Sequence, residues 1–323
     1  MKNKLLFTFI IPTYNSEQLI RKCLDSIKKQ KFNVTKFEVF VLDGGSTDKT
    51  TDIANTYKSS IPLKIINNPK RDAESAKFIG LKRAKGEYII LLDSDNEIVS
   101  REWLLMAETI IKKHDDIWGI ESPWYVNPTD PLINQYFAML RVADPVARLF
   151  SPIKERIKDY KKYELVTVDT SDTPVTGANG FFWKRKLVQK ELNIHNRFEE
   201  TNYVSFLISS GNVTYARMKN NGVYHYYSDS VSNYIKKRIK IANKFLARKA
   251  NNQTTWVDKV GKFKFYIAIF YNFSIICPTI ESLISIVKYK NIAWVYHPLI
   301  SFLTVTIYTI FYIRKKFFLH AVK

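Results

Sequence analysis

Along the first hundred residues, short unbroken apolar runs alternate with stretches in which apolar side chains return every three or four positions. Residues 7–11 form the first run and read as a strand. After Ser16, which can cap a helix, Ile20, Cys23, Leu24 and Ile27 recur at i, i+3, i+4 and i+7. Residues 37–42 read as the next strand. They end in Asp43-Gly44-Gly45-Ser46-Thr47-Asp48, a turn able to start a helix carrying Ile53, Ala54 and Tyr57. A short strand follows at 63–66, then a helix capped by Asp72 that runs to Ala84 and is closed by Gly86. Residues 88–92 are the fourth strand. Continuous apolar strands separated by single helices predict βαβ units and a mostly parallel sheet with helices on both faces. Ligands of such sheets bind at the carboxyl ends of the strands. Three polar clusters fall there: Pro12-Thr13-Tyr14-Asn15, residues 43–48, and Asp93-Ser94-Asp95-Asn96.

Composition narrows the partners. The chain has 323 residues, enough for one large domain with an appendage, and 46% are hydrophobic, enough for a sizeable core. A net charge of +20 implies anionic partners, for which nucleic acid, an acidic membrane surface and phosphorylated small molecules all qualify. Cys23 and Cys277 are far apart and form neither a CxxC nor a zinc spacing, so a reducing, cytosolic setting is the default. The basic start Met1-Lys2-Asn3-Lys4 leads into an apolar stretch that stops at Pro12 without a small-residue cleavage site, and reads as a first strand, not a signal peptide.

The acidic triplet carries the chemistry. A buried strand delivers Asp93 and Asp95 into a loop, where hard divalent cations could meet a diphosphate: Mg²⁺ is typically held by one or two carboxylates, with phosphates and water completing its shell. Asp and Ser are also ordinary turn residues. No GxGxxG follows the first strand and no GxxxxGK[ST] is present, which counts against a dinucleotide dehydrogenase and a P-loop NTPase.

Phe9-Ile10-Ile11-Pro12-Thr13-Tyr14-Asn15, Val41-Leu42-Asp43-Gly44-Gly45-Ser46-Thr47-Asp48 and Ala84-Lys85-Gly86-Glu87-Tyr88-Ile89-Ile90-Leu91-Leu92-Asp93-Ser94-Asp95 resemble, in order and spacing, the family 2 glycosyltransferases of GT-A fold. That resemblance implies a UDP- or GDP-linked sugar donor, a Mn²⁺ or Mg²⁺ ion and inversion at the anomeric carbon. It implies that Pro12, Thr13, Tyr14, Asn15 and Asp43 hold base and ribose, that Asp93 and Ser94 face the donor, and that Asp95, with Asp93 beside it, binds the metal. Gly44 stands where the family often has a second Asp. Ala76-Lys77-Phe78 stands where it often has Ala-Arg-Asn, so Lys77 keeps a charge suited to a pyrophosphate but loses the planar fork, and Phe78 is expected to pack.

Downstream, Thr176-Gly177-Ala178-Asn179-Gly180-Phe181-Phe182 suits a backbone that approaches a ligand closely, and equally an ordinary turn. Phe198-Glu199-Glu200-Thr201-Asn202-Tyr203 resembles the family's Phe-x-Glu-Asp-x-Asp segment. It implies Glu200 as catalytic base, with Glu199 as the competing assignment; both could instead be solvated residues at a helix start. An acceptor phosphate, already ionised, would need no base. His225 falls where many relatives place a metal ligand, although a lone His among tyrosines is commonly structural.

The last ninety residues change character. A basic amphipathic segment at 234–264 carries Lys236, Lys237, Arg238, Lys240, Lys244, Arg248 and Lys249, with Ile235, Ile239, Ala242, Phe245 and Leu246 near helical spacing. Residues 292–313 contain no Asp, Glu, Lys or Arg, long enough to cross a bilayer, and 265–287 is mostly apolar around Pro278 and Glu281. Charge placement favours a hairpin turning at 288–291, with Arg314-Lys315-Lys316 and the basic helix on the cytoplasmic side; an interfacial hairpin is the alternative. The expected organisation is a GT-A catalytic domain at 1–233, a linker helix at 234–264 and membrane-associated helices at 265–323.

The expected function is metal-dependent inverting sugar transfer to a lipid-linked or polyprenyl-phosphate acceptor at the cytoplasmic membrane face. The alternatives are a non-lipid glycan acceptor or a catalytically silent nucleotide-sugar-binding or membrane scaffold. A nucleic-acid partner is not expected, because the charge is densest beside the apolar tail.

Overall fold

A computed structural model describes residues 5–150, 154–191, 198–250 and 255–320. Residues 1–4, 251–254 of the expected linker, and the side chains of Lys249, Lys315 and Lys316 lie outside what is described. The strands are β1 (Phe7–Thr13), β2 (Phe37–Asp43), β3 (Leu63–Asn67), β4 (Tyr88–Leu91), β5 (Asn96–Ile98), β6 (Gly119–Glu121), β7 (Arg156–Asp159), β8 (Tyr163–Thr167), β9 (Phe181–Lys184), β10 (Thr214–Met218) and β11 (Val223–His225). The helices are α1 (Ile20–Lys28), α2 (Thr50–Asn55), α3 (Ala73–Arg83), α4 (Trp103–Lys113), α5 (Leu132–Leu140), α6 (Pro145–Arg148), α7 (Arg185–Glu191), α8 (Glu200–Ser209), α9 (Val231–Ala250), α10 (Lys262–Phe273), α11 (Ile276–Tyr289) and α12 (Tyr296–His320). They divide into two compact units, residues 1–125 with 152–225, and residues 126–151 with 226–323. The boundary differs from the expected cut near 233 because α5 and α6 pack with the C-terminal helices.

In the first unit a nine-stranded sheet runs β3-β2-β1-β4-β9-β6-β10-β8-β7, and only β9 and β8 oppose the other strands. The continuous apolar strands are buried on both faces, as expected of a parallel sheet covered twice. Phe7, Phe9, Ile11, Val39 and Val41 point to the side of α1, α2 and α4; Ile10, Phe40 and Leu42 point to the side of α3, α7 and α8. Thr8, the polar residue inside β1, is satisfied by donating to Glu38 Oε1 at 2.8 Å.

Two local expectations change. The Ser16 side chain does not cap a helix: α1 starts at Ile20, and the Ser16 carbonyl accepts from the Leu19 and Ile20 amides. Gly86 is not a left-handed helix stop. It is a close-approach glycine, since a Cβ there would lie 2.5 Å from the Phe7 carbonyl carbon and 2.6 Å from the Thr8 amide nitrogen. Asp72 does cap α3, accepting from the Ser75 amide at 2.8 Å.

In the second unit α9 runs parallel to α12, with Tyr234 against Thr304 and Arg238 against Tyr308 one turn further on. The expected apolar seam on α9 is corrected: Tyr234, Arg238 and Ala242 are buried, whereas Ile239 is exposed. Arg238 tolerates burial because Asp144 lies 3.1 Å away and Tyr227 accepts from it at 2.6 Å. The chain turns at 288–291 as expected, with Lys290 left-handed at φ 49°. The stretch Ile292–Arg314 is long and apolar enough to cross a membrane. Its neighbour α9 turns Tyr234 and Arg238 toward it and carries Lys236 and Lys240 exposed on its outer face.

Gly86→Ala should destabilise the first unit by about 1–3 kcal/mol through overpacking against backbone. Urea denaturation followed by tryptophan fluorescence reads this as a lower midpoint; an unchanged midpoint would show that the β1 backbone can give way.

Candidate functional site

The three expected polar clusters meet at the carboxyl edge of the sheet. Pro12 and Thr13 end β1, in register with Leu42 and Asp43. Pro12 falls after the last β1–β4 pair, Ile10 with Leu91, where the missing amide interrupts no ladder on that side. Asp43 shapes its own loop, accepting from the Gly45 and Ser46 amides at 3.0 and 3.1 Å. Asn15, left-handed at φ 47°, ties that loop to β1 by accepting from the Thr47 amide at 2.9 Å. The Tyr14 ring is left half in solvent. Arg71, which the sequence reading did not single out, places its guanidinium carbon 5.9 Å from the centre of that ring and close to Gly45. The sequence signal was a Pro69-Lys70-Arg71 turn just before α3, in line with the β3 end.

The acidic loop lies between β4 and β5. Ser94 donates to Ser16 Oγ at 3.0 Å, linking it to the β1 loop. Cys23 packs beneath it, and burial, reinforced by Asp95 and Asp93, keeps this thiol protonated. β5 pairs with β11 so that Asn96 opposes His225, which brings His225 Nε2 to 3.7 Å from Asp95 Oδ2. The buried imidazole is held edge-on by Trp124, ring centres 4.6 Å apart.

Asp93 points elsewhere. Its Oδ1 lies 3.4 Å from the ammonium of Lys77, which also donates to Glu200 Oε1. Lys77 is 5% exposed. Its charge, expected to face a pyrophosphate, is thus already engaged by two carboxylates. Burial alone would lower the Lys77 pKa, but Asp93 and Glu200 outweigh it and hold the amine well above its ordinary value. Burial raises the Asp93 carboxyl, Lys77 opposes the rise, and Asp95 and Glu200 add to it. Phe78, the next residue, packs against the core as expected.

Glu200 opens α8, and Glu199 instead accepts from Asn202 at 2.6 Å. The glycine segment reaches the same corner. Gly180 donates to the Leu91 carbonyl at 2.6 Å, and a Cβ on Gly177 would meet Glu200 Cβ at 3.2 Å and Trp183 at 2.5 Å. With φ +110°, Gly177 is confined to glycine on two counts.

Among the described residues no group of three or more His, Cys, Asp or Glu side chains is arranged to hold a metal ion. Asp95 and His225 still fit Mn²⁺ or Mg²⁺ chemically. The Asp95 carboxylate is the hard oxygen donor such ions take, with diphosphate oxygens and water left to fill most of the shell, and the His225 imidazole stands beside it as a softer second donor.

Together these features define an α/β protein of GT-A fold. Residues 8–132, less than half of the chain, match the family described as "Glycosyl transferase family 2". Over 110 residues it is 38% identical to the poly(ribitol-phosphate) beta-N-acetylglucosaminyltransferase TarS of Staphylococcus aureus, covering 33% of this chain and 19% of that protein. The chain therefore spans about a fifth of that relative. The crystal structure of S. aureus TarS 1-349 in complex with UDP superposes with a TM-score of 0.52 and 20% identity, covering 94% of this chain and 89% of that one. The mannosyltransferase PcManGT from Pyrobaculum calidifontis in complex with GDP-Man and Mn²⁺ gives 0.53 and 19%, covering 82% and 69%. Glu199, Glu200 and His225 lie beyond the family match, and their placement at the site rests on the geometry above.

Lys77→Met removes the cation shared by two partly buried carboxylates. It should cost on the order of 2–3 kcal/mol, below the ~3–5 typical of a fully buried pair because both acids keep some exposure. With the opposing charge gone, the Asp93 titration should move further upward, read by carboxyl ¹³C NMR; an unmoved midpoint would mean that Lys77 does not act on Asp93.

Proposed function

We propose that the protein is an inverting, metal-dependent glycosyltransferase that moves a sugar from a UDP- or GDP-linked donor to a lipid-linked or polyprenyl-phosphate acceptor at the cytoplasmic membrane face. The observation that carries the reading is the convergence of Asp93, Lys77, Glu200 and the glycine turn on one corner of the sheet edge, beside the Asp95–His225 pair. Tyr14 offers a ring face to the base, Arg71 a cation beside it, and the 43–48 loop a preformed wall for the ribose. Asp95 and His225 would hold the metal, whose role when bound is to neutralise the charge that grows on the departing diphosphate.

The acceptor oxygen attacks the anomeric carbon from the side opposite the diphosphate, the bond from that carbon to the diphosphate oxygen breaks, and Glu200 takes the hydroxyl proton. Lys77 keeps the Glu200 carboxylate in place before the reaction and balances its charge against Asp93. Glu199, turned to Asn202, is the weaker choice of base. An acceptor that is a soluble or polymeric envelope glycan is the second reading, favoured by the poly(ribitol-phosphate) substrate in the name of the S. aureus relative.

Donor turnover, read as released nucleoside diphosphate from a panel of UDP- and GDP-sugars with native membranes, tests the proposal. Chelation and Asp95→Ala should each abolish it, a loss of roughly 10³-fold or more for several kcal/mol of charge stabilisation. Glu200→Gln should lower transfer to a hydroxyl by about 10²–10⁴-fold while sparing transfer to a phosphate. Turnover that survives Asp95→Ala would remove the mechanism.

A further inference from the structure

We propose that α10 and α11 form a monotopic membrane element, a bent helix pair that sinks its apolar face into one leaflet of an anionic bilayer without crossing it. The inference deepens the membrane-face reading above by assigning the contact to one element.

The exterior of the pair is apolar to an extent that water does not tolerate. Phe263, Tyr266, Phe270, Ile276 and Val287 are 68–79% exposed, and Leu283 and Ile284 are 60% and 62% exposed. Scattered apolar residues are normal on a surface, but a contiguous face of this kind marks an interaction site. Between Lys262 and Lys288 the only charged residues are Lys264 and Glu281, both half-buried. Polar groups of the same helices point inward: Asn272, Ser282 and Ser285 are 0%, 4% and 6% exposed. Glu281 is met inside by Arg148 at 2.8 Å and by His297 at 3.2 Å. Polar groups inside and large apolar groups outside reverse the order of a protein in water and suit a hydrocarbon solvent, in which ionisable groups face the bundle interior and pair.

Length and bend decide how the element sits. At ~1.5 Å per residue, the 12 residues of α10 and 14 of α11 reach about 18 and 21 Å, short of a ~30 Å hydrocarbon core. The axes bend by 76° between them, where Ile275 takes a left-handed φ of 57°. Neither arm can cross alone, and the sharp bend lets the chain enter and return. The charges choose lipid over a protein groove or a second copy of the chain. Exposed Lys262 flanks one end and exposed Lys288 and Lys290 the other, with no exposed charge between, so ammonium groups can reach the phosphates while the apolar face lies beneath them.

Co-sedimentation of the full chain with phosphatidylcholine vesicles, with and without phosphatidylglycerol, tests this. The protein should pellet with the anionic vesicles. Phe270→Glu with Ile284→Glu, both at exposed positions, should reduce pelleting at least tenfold, and Lys288→Gln with Lys290→Gln should weaken it and flatten its salt dependence. In a Cys277→Ser background, Lys262→Cys and Lys290→Cys should react with an impermeant maleimide from the same side of the vesicle. Labelling from opposite sides, pelleting unaffected by the glutamates, or a discrete dimer in solution that those glutamates dissolve would each overturn the proposal. Donor turnover is read separately: binding without turnover counts against the transferase reading alone, and turnover without binding against this one alone.

Discussion

One buried ammonium holds the candidate site together. Lys77 sits on α3 at the edge where β1 and β4 end, and an unpaired cation there would be costly to bury. Asp93 and Glu200 supply the counter-charge, and in doing so they fix the acidic loop and the start of α8 relative to each other. Two carboxylates brought this close would repel and pick up protons without the cation between them. The glycine turn at 177 then becomes necessary, because any side chain there would press on Glu200 and Trp183.

The sheet beneath is the other half of that constraint. Its central strands β1, β2 and β4 are largely apolar on both faces, so most of their polar neighbours collect where the strands end, and the parallel run of β3, β2, β1 and β4 brings those ends to one edge. Side chains at that edge do structural and chemical work together. Asp43 and Asn15 spend their oxygens on loop amides, which leaves Tyr14 and Arg71 as the groups free to meet a planar ligand. The C-terminal unit solves the opposite problem. Buried Arg238 is paired with Asp144, and half-buried Arg148 with Glu281, inside the helices while bulky apolar groups of α10 and α11 face outward.

Local pattern made much of this legible. The first four strands, the helix cap at Asp72 and the acidic loop were readable, because a strand buried on both faces requires an unbroken apolar run and a cap requires a short acceptor side chain; β5 to β11 were not read as strands. Where the reading slipped, a neighbour distant in sequence had intervened. Gly86 answers to the β1 backbone and not to its own helix; Arg238 is buried, against its type, because Asp144 waits for it; Lys77, whose charge was expected to face a pyrophosphate, is met by two carboxylates.

Sequence alone therefore determined the fold class, the place of the candidate site at the strand ends and the residue types available there, since hydrophobic periodicity and turn chemistry act over a few residues. Tertiary structure decided which of those residues meet. Glu200 reaches Lys77 across 123 positions of chain, and His225 reaches Asp95 only because β11 pairs with β5. Such pairings depend on the path of the whole chain and on the charges that must be balanced once water is excluded, and no local pattern records either.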